Sequence, residues 1–186
     1  MAALLTRRRF TVEDYEKMVR AGVLTEDDRV ELIEGEIVEM SPIGERHAAC
    51  VKRVNRLLTR LLGERAIVSV QDPVCLGNDS EPEPDIAILR PRADFYVSGH
   101  PRARDILLII EVADTTRKKD REVKIPLYAR AGVMESWLVD LEARRIEVFR
   151  KPSARGYLDR SKVRAGGRIS PAAFPDIEIP AGEILV

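Results

Sequence analysis

The stretch 107-LLIIEVADTTRKKDREVK-124 runs from four consecutive aliphatic residues into a carboxylate, Glu111, and then into a charged segment. Residues 105–112 are apolar at nearly every position, which predicts a strand buried on both faces near the centre of a sheet. Nine of the fourteen residues from 111 to 124 are charged. Because a carboxylate on such a strand is costly to bury without a partner or a metal ion, Glu111 is a candidate functional residue.

Composition places limits on the fold and on the partners. The 186 residues, 45% of them hydrophobic, predict one domain over residues 1–186 with its core at about 30–150. Lys plus Arg (31) equals Asp plus Glu (31), so no global basic field draws the protein to nucleic acid. A nucleic-acid partner would therefore have to be held by a local patch.

The cysteines and the N-terminus bear on the cellular compartment. Cys50 and Cys75 lie far apart and outside any CxxC motif, so neither a disulfide framework nor a zinc site is indicated. The N-terminal MAALLTRRRF places its apolar residues before its basic ones, the reverse of a signal peptide, and no apolar run reaches membrane-spanning length. These features predict a cytoplasmic protein without a membrane segment.

Periodicity predicts the elements before and after the central strand. A helix capped by Thr11, a hairpin or bulged bend around Gly35, and a long helix closed by Gly63 precede it. In order, the predicted elements are helix 11–22, hairpin 30–40, helix 45–62, strands 66–74, 85–89 and 105–112, a helical segment within 116–132, and a strand pair at 136–140 and 144–150. Pro126 requires either a helix that begins near Ile125 or a kinked first segment.

This order predicts a mixed α/β fold: a central mixed sheet with helices on both sides, an N-terminal helix and hairpin extension, and a β-rich C-terminal tail. If the strands that carry Asp85 and Glu111 are neighbours, their carboxylates converge at one end of the sheet. Asp85 opens its strand, and Glu111 lies near the end of the other. Two converging carboxylates repel each other unless a positive group is bound between them.

Several motifs together resemble the Uma2 family of endonucleases, within the PD-(D/E)xK restriction-endonuclease-like superfamily. The motifs are EPD (83–85), IIEVADTT (109–116), DREVK (120–124), PLYARAGVMESWLVD (126–140), and ELIEGEIVEMSP (31–42) followed by His47. The likeness covers roughly residues 10–150. It implies a restriction-endonuclease-like core and metal-dependent hydrolysis of phosphodiester bonds in DNA. Related folds often act as dimers, so a homodimer is also expected.

The resemblance implies a site for Mg²⁺, or for Mn²⁺, built from Asp85, Glu111 and the backbone carbonyl of Val112. Mg²⁺ takes one or two protein carboxylates and completes its shell with waters and phosphate oxygens. Glu34 in the hairpin is a further candidate ligand, although an alternating wet strand face explains it equally well. His47 is expected as an auxiliary base or phosphate contact, or else as a capping or surface histidine.

The sequence departs from the superfamily pattern at Ala113, where a lysine normally follows the glutamate by two positions. Lys124, at the end of the DxxxK spacing, is the lysine that a helix packed on the sheet could bring to the same place. Asp114 stands where a serine is usual in the family. If Lys124 does not serve, the alternative is an inactive nuclease fold that binds nucleic acid or a protein partner.

Each candidate also has a plain structural interpretation. Asp85 could be a turn residue after Pro84. Lys124, four residues after Asp120, could form an ordinary surface ion pair on a helix. Tyr128 and Trp137 are typical of core positions. The basic clusters at 7–9, 117–119 and 144–145 are ordinary solvated surface, unless they share one rim and grip phosphate.

Overall fold

The computed structural model describes residues 7–25, 27–114 and 119–185. The helices are α1 (Val12–Arg20), α2 (Glu45–Leu62) and α3 (Ile125–Arg130). The strands are β1 (Val30–Ile33), β2 (Glu36–Glu39), β3 (Ile67–Val70), β4 (Ile86–Leu89), β5 (Ile106–Ala113), β6 (Glu135–Asp140), β7 (Arg145–Ser153), β8 (Gly156–Arg164), β9 (Arg168–Ile169) and β10 (Ile179–Pro180).

Local sequence signals account for the N-terminal elements. Thr11 caps α1: its hydroxyl accepts from the Asp14 N–H at 3.1 Å, and the Asp14 carboxylate accepts from the Thr11 N–H at 3.2 Å. The β1–β2 hairpin turns at Glu34 and Gly35, both with positive φ (49° and 79°), as a two-residue primed turn requires. The predicted helix and hairpin are confirmed.

The central sheet has six strands in the order β3-β4-β5-β6-β7-β8. β5 and β6 are parallel and every other neighbouring pair is antiparallel, so the sheet is mixed, as predicted. β5 lies third in the order and is buried along nearly its whole length. The aliphatic run therefore forms an interior strand, with β4 on one side and β6 on the other.

Hydrophobic clusters cover both faces of the sheet. On one face, α2 and the C-terminal segment pack against alternate side chains of β4 to β7, including Trp137. On the other face, α3 and part of the hairpin pack against the remaining side chains, including Ile109, Ala113 and Leu138. Because Glu111 lies between Ile109 and Ala113 in the alternation of β5, its side chain points to the α3 face.

The segment around Pro126 combines the two predicted alternatives. Asp120–Lys124 forms a π-helical turn and α3 follows directly, with Pro126 in its first turn. The turn is wider than an α-helical one because the Ile125 N–H bonds to the Asp120 carbonyl, five residues back and not four. Pro126 has no N–H to donate, so a position at the start of α3 suits it. Asp120 and Lys124 are both buried.

The C-terminal tail contributes more to the sheet than its sequence indicates. Residues 156–164 form a nine-residue edge strand, β8, whose charged side chains conceal the alternation expected of a strand. The strand predicted at 66–74 is shorter, since β3 ends at Val70. Within the described parts of the chain, no helix is long and apolar enough to cross a membrane.

Candidate active site

The site lies at the end of the sheet where β4 begins and β5 ends. Ile86 pairs with Ile110, which brings Asp85 beside the following residue, Glu111. The Asp85 N–H lies 3.4 Å from Oε2 of Glu111, and the Val112 N–H donates to Oδ2 of Asp85 at 2.8 Å. The two predicted carboxylates therefore converge. Asp85 is more than a turn residue, because its side chain bonds across to the neighbouring strand.

Lys124 reaches the same place from the π-helical turn. Its Nζ lies 3.2 Å from Oε1 of Glu111 and 3.1 Å from Oε2 of Glu31, and it donates to the Glu83 carbonyl at 2.9 Å. The Lys124 side chain is only 7% exposed, so a surface ion pair with Asp120 does not describe it. The ammonium group that Ala113 cannot provide is thus present beside Glu111.

Tyr128 lies one helical turn after Lys124 and faces the same carboxylate. It is fully buried, as the core interpretation predicts, but its hydroxyl donates a hydrogen bond to Oε1 of Glu111. Trp137 is also buried and lies in the core on the other face of the sheet, with its Nε1 bonded to Glu135 at 2.8 Å. Tyr128 therefore belongs to the site, whereas Trp137 does not.

His47 and Gln71 contact Asp85 from the other side. Nε2 of His47 lies 3.0 Å from the Asp85 carboxylate, and Nε2 of Gln71 lies 3.5 Å from Oδ1. The His47 side chain is 14% exposed, so it is not a surface histidine, and Gly44 rather than His47 caps α2. His47 faces the site through Asp85, as the resemblance implies.

Glu31 is a functional candidate that the sequence interpretation missed. The alternation of β1 predicts a wet acidic face, yet Glu31 is 1% exposed. Its carboxylate lies 3.1 Å from Nζ of Lys124 and 2.9 Å from Nζ of Lys119, and it accepts from the Glu83 N–H at 3.2 Å. The local sequence does not indicate this burial, because the groups that neutralise Glu31 are Lys119 and Lys124, which are distant in the sequence.

Glu34, predicted as a further metal ligand, does not lie with the other carboxylates. It stands at the hairpin turn with an exposed side chain, where its carboxylate pairs with Arg130 at 2.6 Å and its carbonyl accepts from Arg9. A side chain at the turn points away from the cleft that contains Glu31. The carboxylate that the hairpin contributes to the site is therefore Glu31, three residues earlier.

The basic clusters do not share one rim. Arg9 packs against the hairpin turn, and Lys119 reaches Glu31 and the Glu39 carbonyl inside the cleft. Arg145 pairs with Asp140 at 3.3 Å, two strands away from Glu111. Positions 117 and 118 lie outside the described residues. Among the described residues, the three basic clusters do not form one phosphate-binding patch.

A cleft of about 250 Å³ opens onto these side chains, enough for several water molecules. Among the described residues that line it, six are acidic and three are permanently basic: Glu31, Glu83, Asp85, Glu111, Asp114 and Asp120 against Arg29, Lys119 and Lys124. His47 also lines it. The excess of carboxylates makes the cleft attractive to a cation and, without one, repulsive to a phosphate group.

The protonation of the central pair follows from burial and charge. Burial raises the pKa of Glu111 to about 8, against the opposing effect of Lys124. Burial alone would lower the pKa of Lys124, but Glu111 and Glu31 outweigh it, so this pKa lies above its ordinary value. The hydrogen bond that His47 makes to the Asp85 carboxylate raises the pKa of His47. Lys124 therefore stays charged, while Glu111 holds a proton more tightly than an exposed glutamate.

The donor set fits a hard divalent cation that is only partly held by the protein. Asp85 and Glu111 supply carboxylate oxygens, and the Val112 carbonyl points to the same edge of β5 as the N–H that reaches Asp85. Over the described ranges, no three His, Cys, Asp or Glu side chains are grouped to hold a metal by themselves. Water and a substrate phosphate would complete the shell, which is the usual mode for Mg²⁺.

A family model described as "Putative restriction endonuclease", Uma2, matches residues 12–182. The chain belongs to the Uma2 family. The match extends over both the hairpin with Glu31 and the edge strand β8, and so covers more of the chain than the motifs alone. A comparison with curated proteins gave no match.

A solved structure shares the fold of this Uma2 chain. It is a "putative nuclease belonging to DUF820" from Anabaena variabilis, with a TM-score of 0.74 and 17% sequence identity. The alignment covers 94% of this chain and 97% of that one. At this identity the likeness establishes the fold alone. The nuclease activity is indicated by the family description.

Proposed function

We propose that this Uma2 chain is a metal-dependent endonuclease that hydrolyses phosphodiester bonds in DNA, with Mg²⁺ or Mn²⁺ held by Asp85, Glu111 and the Val112 carbonyl. The observation that carries the proposal is the Lys124 ammonium, 3.2 Å from the Glu111 carboxylate and beside Asp85. The two acids can hold a cation, and the lysine at the same locus can stabilise negative charge that develops on a phosphate. The same observation weighs against the inactive alternative, which rests on Ala113.

The bound cation would lower the pKa of a water molecule and neutralise charge on the scissile phosphate. Lys124 would stabilise the negative charge that develops on the phosphate oxygens, since its ammonium stays charged. Tyr128 and Lys124 both bond to Oε1 of Glu111 and fix the carboxylate in one orientation. His47 holds Asp85 in the same way from the opposite side.

Glu31 would act as a positioning residue for Lys124. The lysine side chain is long and flexible, and its ammonium is held between Glu31 and Glu111 with the Glu83 carbonyl as a third partner. Fixing the ammonium before substrate arrives reduces the reorganisation that the reaction requires. Glu31 thus contributes to the rate through Lys124 and not through the substrate.

The test is cleavage of a labelled DNA duplex by isosteric variants in Mg²⁺ and in Mn²⁺. Asp85→Asn and Glu111→Gln should abolish cleavage, and Lys124→Met should lower kcat by roughly 10²–10³ with little change in binding. Glu64→Gln, an exposed acid after α2, is the matched control and should cut like the wild type. Cleavage that survives either acid substitution would show that the site is elsewhere.

A further inference from the structure

A surface beside the site carries an excess of positive charge on a protein with no net charge. Because cross-strand partners share a face, Arg160 lies on the same face as Phe149, Lys162 as Glu147 and Arg164 as Arg145. Glu147 and Phe149 point to the α3 side of the sheet, as Leu138 does. We define the β8 basic face by its five cations: Arg121, Arg145, Arg160, Lys162 and Arg164.

The charges on this surface are unevenly paired. Arg145 lies 3.3 Å from Asp140 and 2.9 Å from Glu147, and Arg121 contacts the same two acids. Within the described chain, no carboxylate forms an ion pair with Arg160, Lys162 or Arg164, which are all exposed. On β7 and β8 this face carries one acid, Glu147, against four cations, Arg145, Arg160, Lys162 and Arg164, which is an excess of three positive charges. Arg121 and Asp140 lie on neighbouring elements and add one charge of each sign.

Two further features make this arrangement unlike ordinary solvated surface. Arg145 and Arg164 are directly opposite each other across β7 and β8, a like-charge pair that destabilises a sheet. The guanidinium of Arg160 is stacked 4.8 Å above the ring of Phe149, which is itself buried, so its position is fixed. Same-face side chains on a strand are about 7 Å apart. This spacing is close to that of successive phosphates in a nucleic-acid strand.

The face is continuous with the candidate active site. Arg121 lies in the π-helical turn that carries Lys124, and Asp140 pairs in register with Ala113 at the end of β5. From β5 to β8 is three strand steps, or about 14 Å at the usual spacing. That distance corresponds to about four base pairs of duplex.

We propose that the β8 basic face binds the phosphate backbone of the nucleic acid a few nucleotides away from the bond that is cut. The inference rests on the proposed nuclease function and adds the surface that positions the substrate. Arginine and lysine contacts of this kind fix the register of a backbone and do not read base sequence. They also supply attraction that the acidic cleft itself lacks.

The test measures binding apart from cleavage. Fluorescence anisotropy of a labelled 20-base-pair duplex, and of the corresponding single strand, is followed in EDTA over a range of salt concentrations. The variant Arg160→Gln/Lys162→Gln/Arg164→Gln should weaken binding at least about tenfold at low salt and reduce the log–log salt slope by about 2.7 for duplex. The matched control, Lys52→Gln/Arg53→Gln/Arg56→Gln, removes three exposed cations from α2 and should change neither quantity.

The outcomes separate this inference from the nuclease proposal. Equal losses in the two triple variants, or no binding of either probe by the wild type, would overturn the basic face. If the Arg160/Lys162/Arg164 variant binds DNA and cleaves plasmid as well as the wild type does, the proposal for the β8 basic face would also be overturned. The nuclease proposal would stand. If only the Arg160/Lys162/Arg164 variant loses binding and the wild type itself does not cleave DNA, the proposal for the β8 basic face would be supported and the nuclease proposal contradicted. The duplex and single-strand arms show which form the face holds.

Discussion

The carboxylate of Glu111 combines almost complete burial with three protein donors: Tyr128, Lys124 and the N–H of Asp85. Burial raises the pKa of Glu111 to about 8, so the folded protein holds a proton on this carboxylate more tightly than the unfolded chain does. The resulting stabilisation is present at low pH and is lost as pH rises from about 4.5 through about 8. A metal ion competes with the same proton, so metal affinity should rise over this interval.

The pH dependence can be checked by urea unfolding in EDTA between pH 5.5 and 8.5. The wild type should lose stability relative to Glu111→Gln as pH rises, because the glutamine side chain cannot ionise in the buried site. Taking the difference between the two proteins removes the contribution of His47, which also titrates. Parallel stability profiles for the two proteins would mean that Glu111 is already ionised at low pH.

The contact between Lys124 and Glu31 predicts strong coupling in a double-mutant cycle. Lys124→Met leaves the buried Glu111 carboxylate without its cation and Glu31 with Lys119 alone, and should lower the free energy of unfolding by about 3 kcal/mol. Glu31→Gln removes one of those charges, so the double variant should be more stable than the sum of the single effects by about 1 kcal/mol or more. Additive effects in chemical denaturation would argue that the two side chains do not interact.

Tyr128 and Tyr157 provide a matched pair of hydrogen-bonded hydroxyl groups, the first on a buried residue and the second on a partly buried one. Tyr128 bonds to Glu111, whereas Tyr157 bonds to Ser136 and to the Val133 carbonyl. Each Tyr→Phe change should lower stability by roughly 1–2 kcal/mol. Only Tyr128→Phe should also lower kcat, because it releases the Glu111 carboxylate from its fixed orientation. A similar loss of kcat in both variants would assign Tyr128 to the core alone.

At the scale of elements, the hairpin is the part that carries Glu31 into the site, and its turn is tightly packed. A Cβ on Gly35 would lie 2.6 Å from Cβ of Arg9 and 3.1 Å from the Phe10 carbonyl, at a φ of +79°. Gly22 has a similar φ of +70° but open space around it. Gly35→Ala should therefore destabilise more than Gly22→Ala, which has only the backbone strain of about 1–2 kcal/mol.

Thermal unfolding of the two glycine variants checks this prediction, and a nuclease assay extends it. Gly35→Ala should also reduce activity, since a displaced hairpin moves Glu31 away from Lys124. Equal changes in Tm would indicate that Arg9 and the residues around it yield without cost. Unchanged activity in a destabilised Gly35→Ala protein would mean that the hairpin is not needed to position Lys124.

The sequence predicts an element well where the hydrophobic periodicity agrees with the capping and turn residues. It predicts an element poorly where charged side chains conceal that periodicity. The run before Glu111, the Thr11 cap and the Glu34–Gly35 turn are local signals, and each formed the predicted element. β8 was not recognised, because Arg160, Lys162 and Arg164 occupy the face that an ordinary edge strand would leave apolar or mixed. The π-helical turn also has no short-range signal beyond Pro126.

Across the whole molecule, the sequence predicted which residues of the candidate site lie together, except for the acid that the hairpin contributes. Asp85, Glu111 and Lys124 come together as expected, because a strand register and one packed helix are sufficient to align them. Glu31 and Glu34 were interchanged, since which acid of an alternating strand is buried depends on cations that arrive from 80 or more residues away. Such pairing is a property of the tertiary fold and not of the local pattern.

The most direct measurement is a plasmid-nicking time course with purified protein in Mg²⁺, in Mn²⁺ and in EDTA, beside Glu111→Gln and the control Glu64→Gln. We expect nicking by the wild type and by Glu64→Gln with either metal, none in EDTA, and none by Glu111→Gln under any condition. Nicking that persists in EDTA, or in the Glu111→Gln variant, would contradict the assignment of Glu111 to a metal-dependent nuclease site.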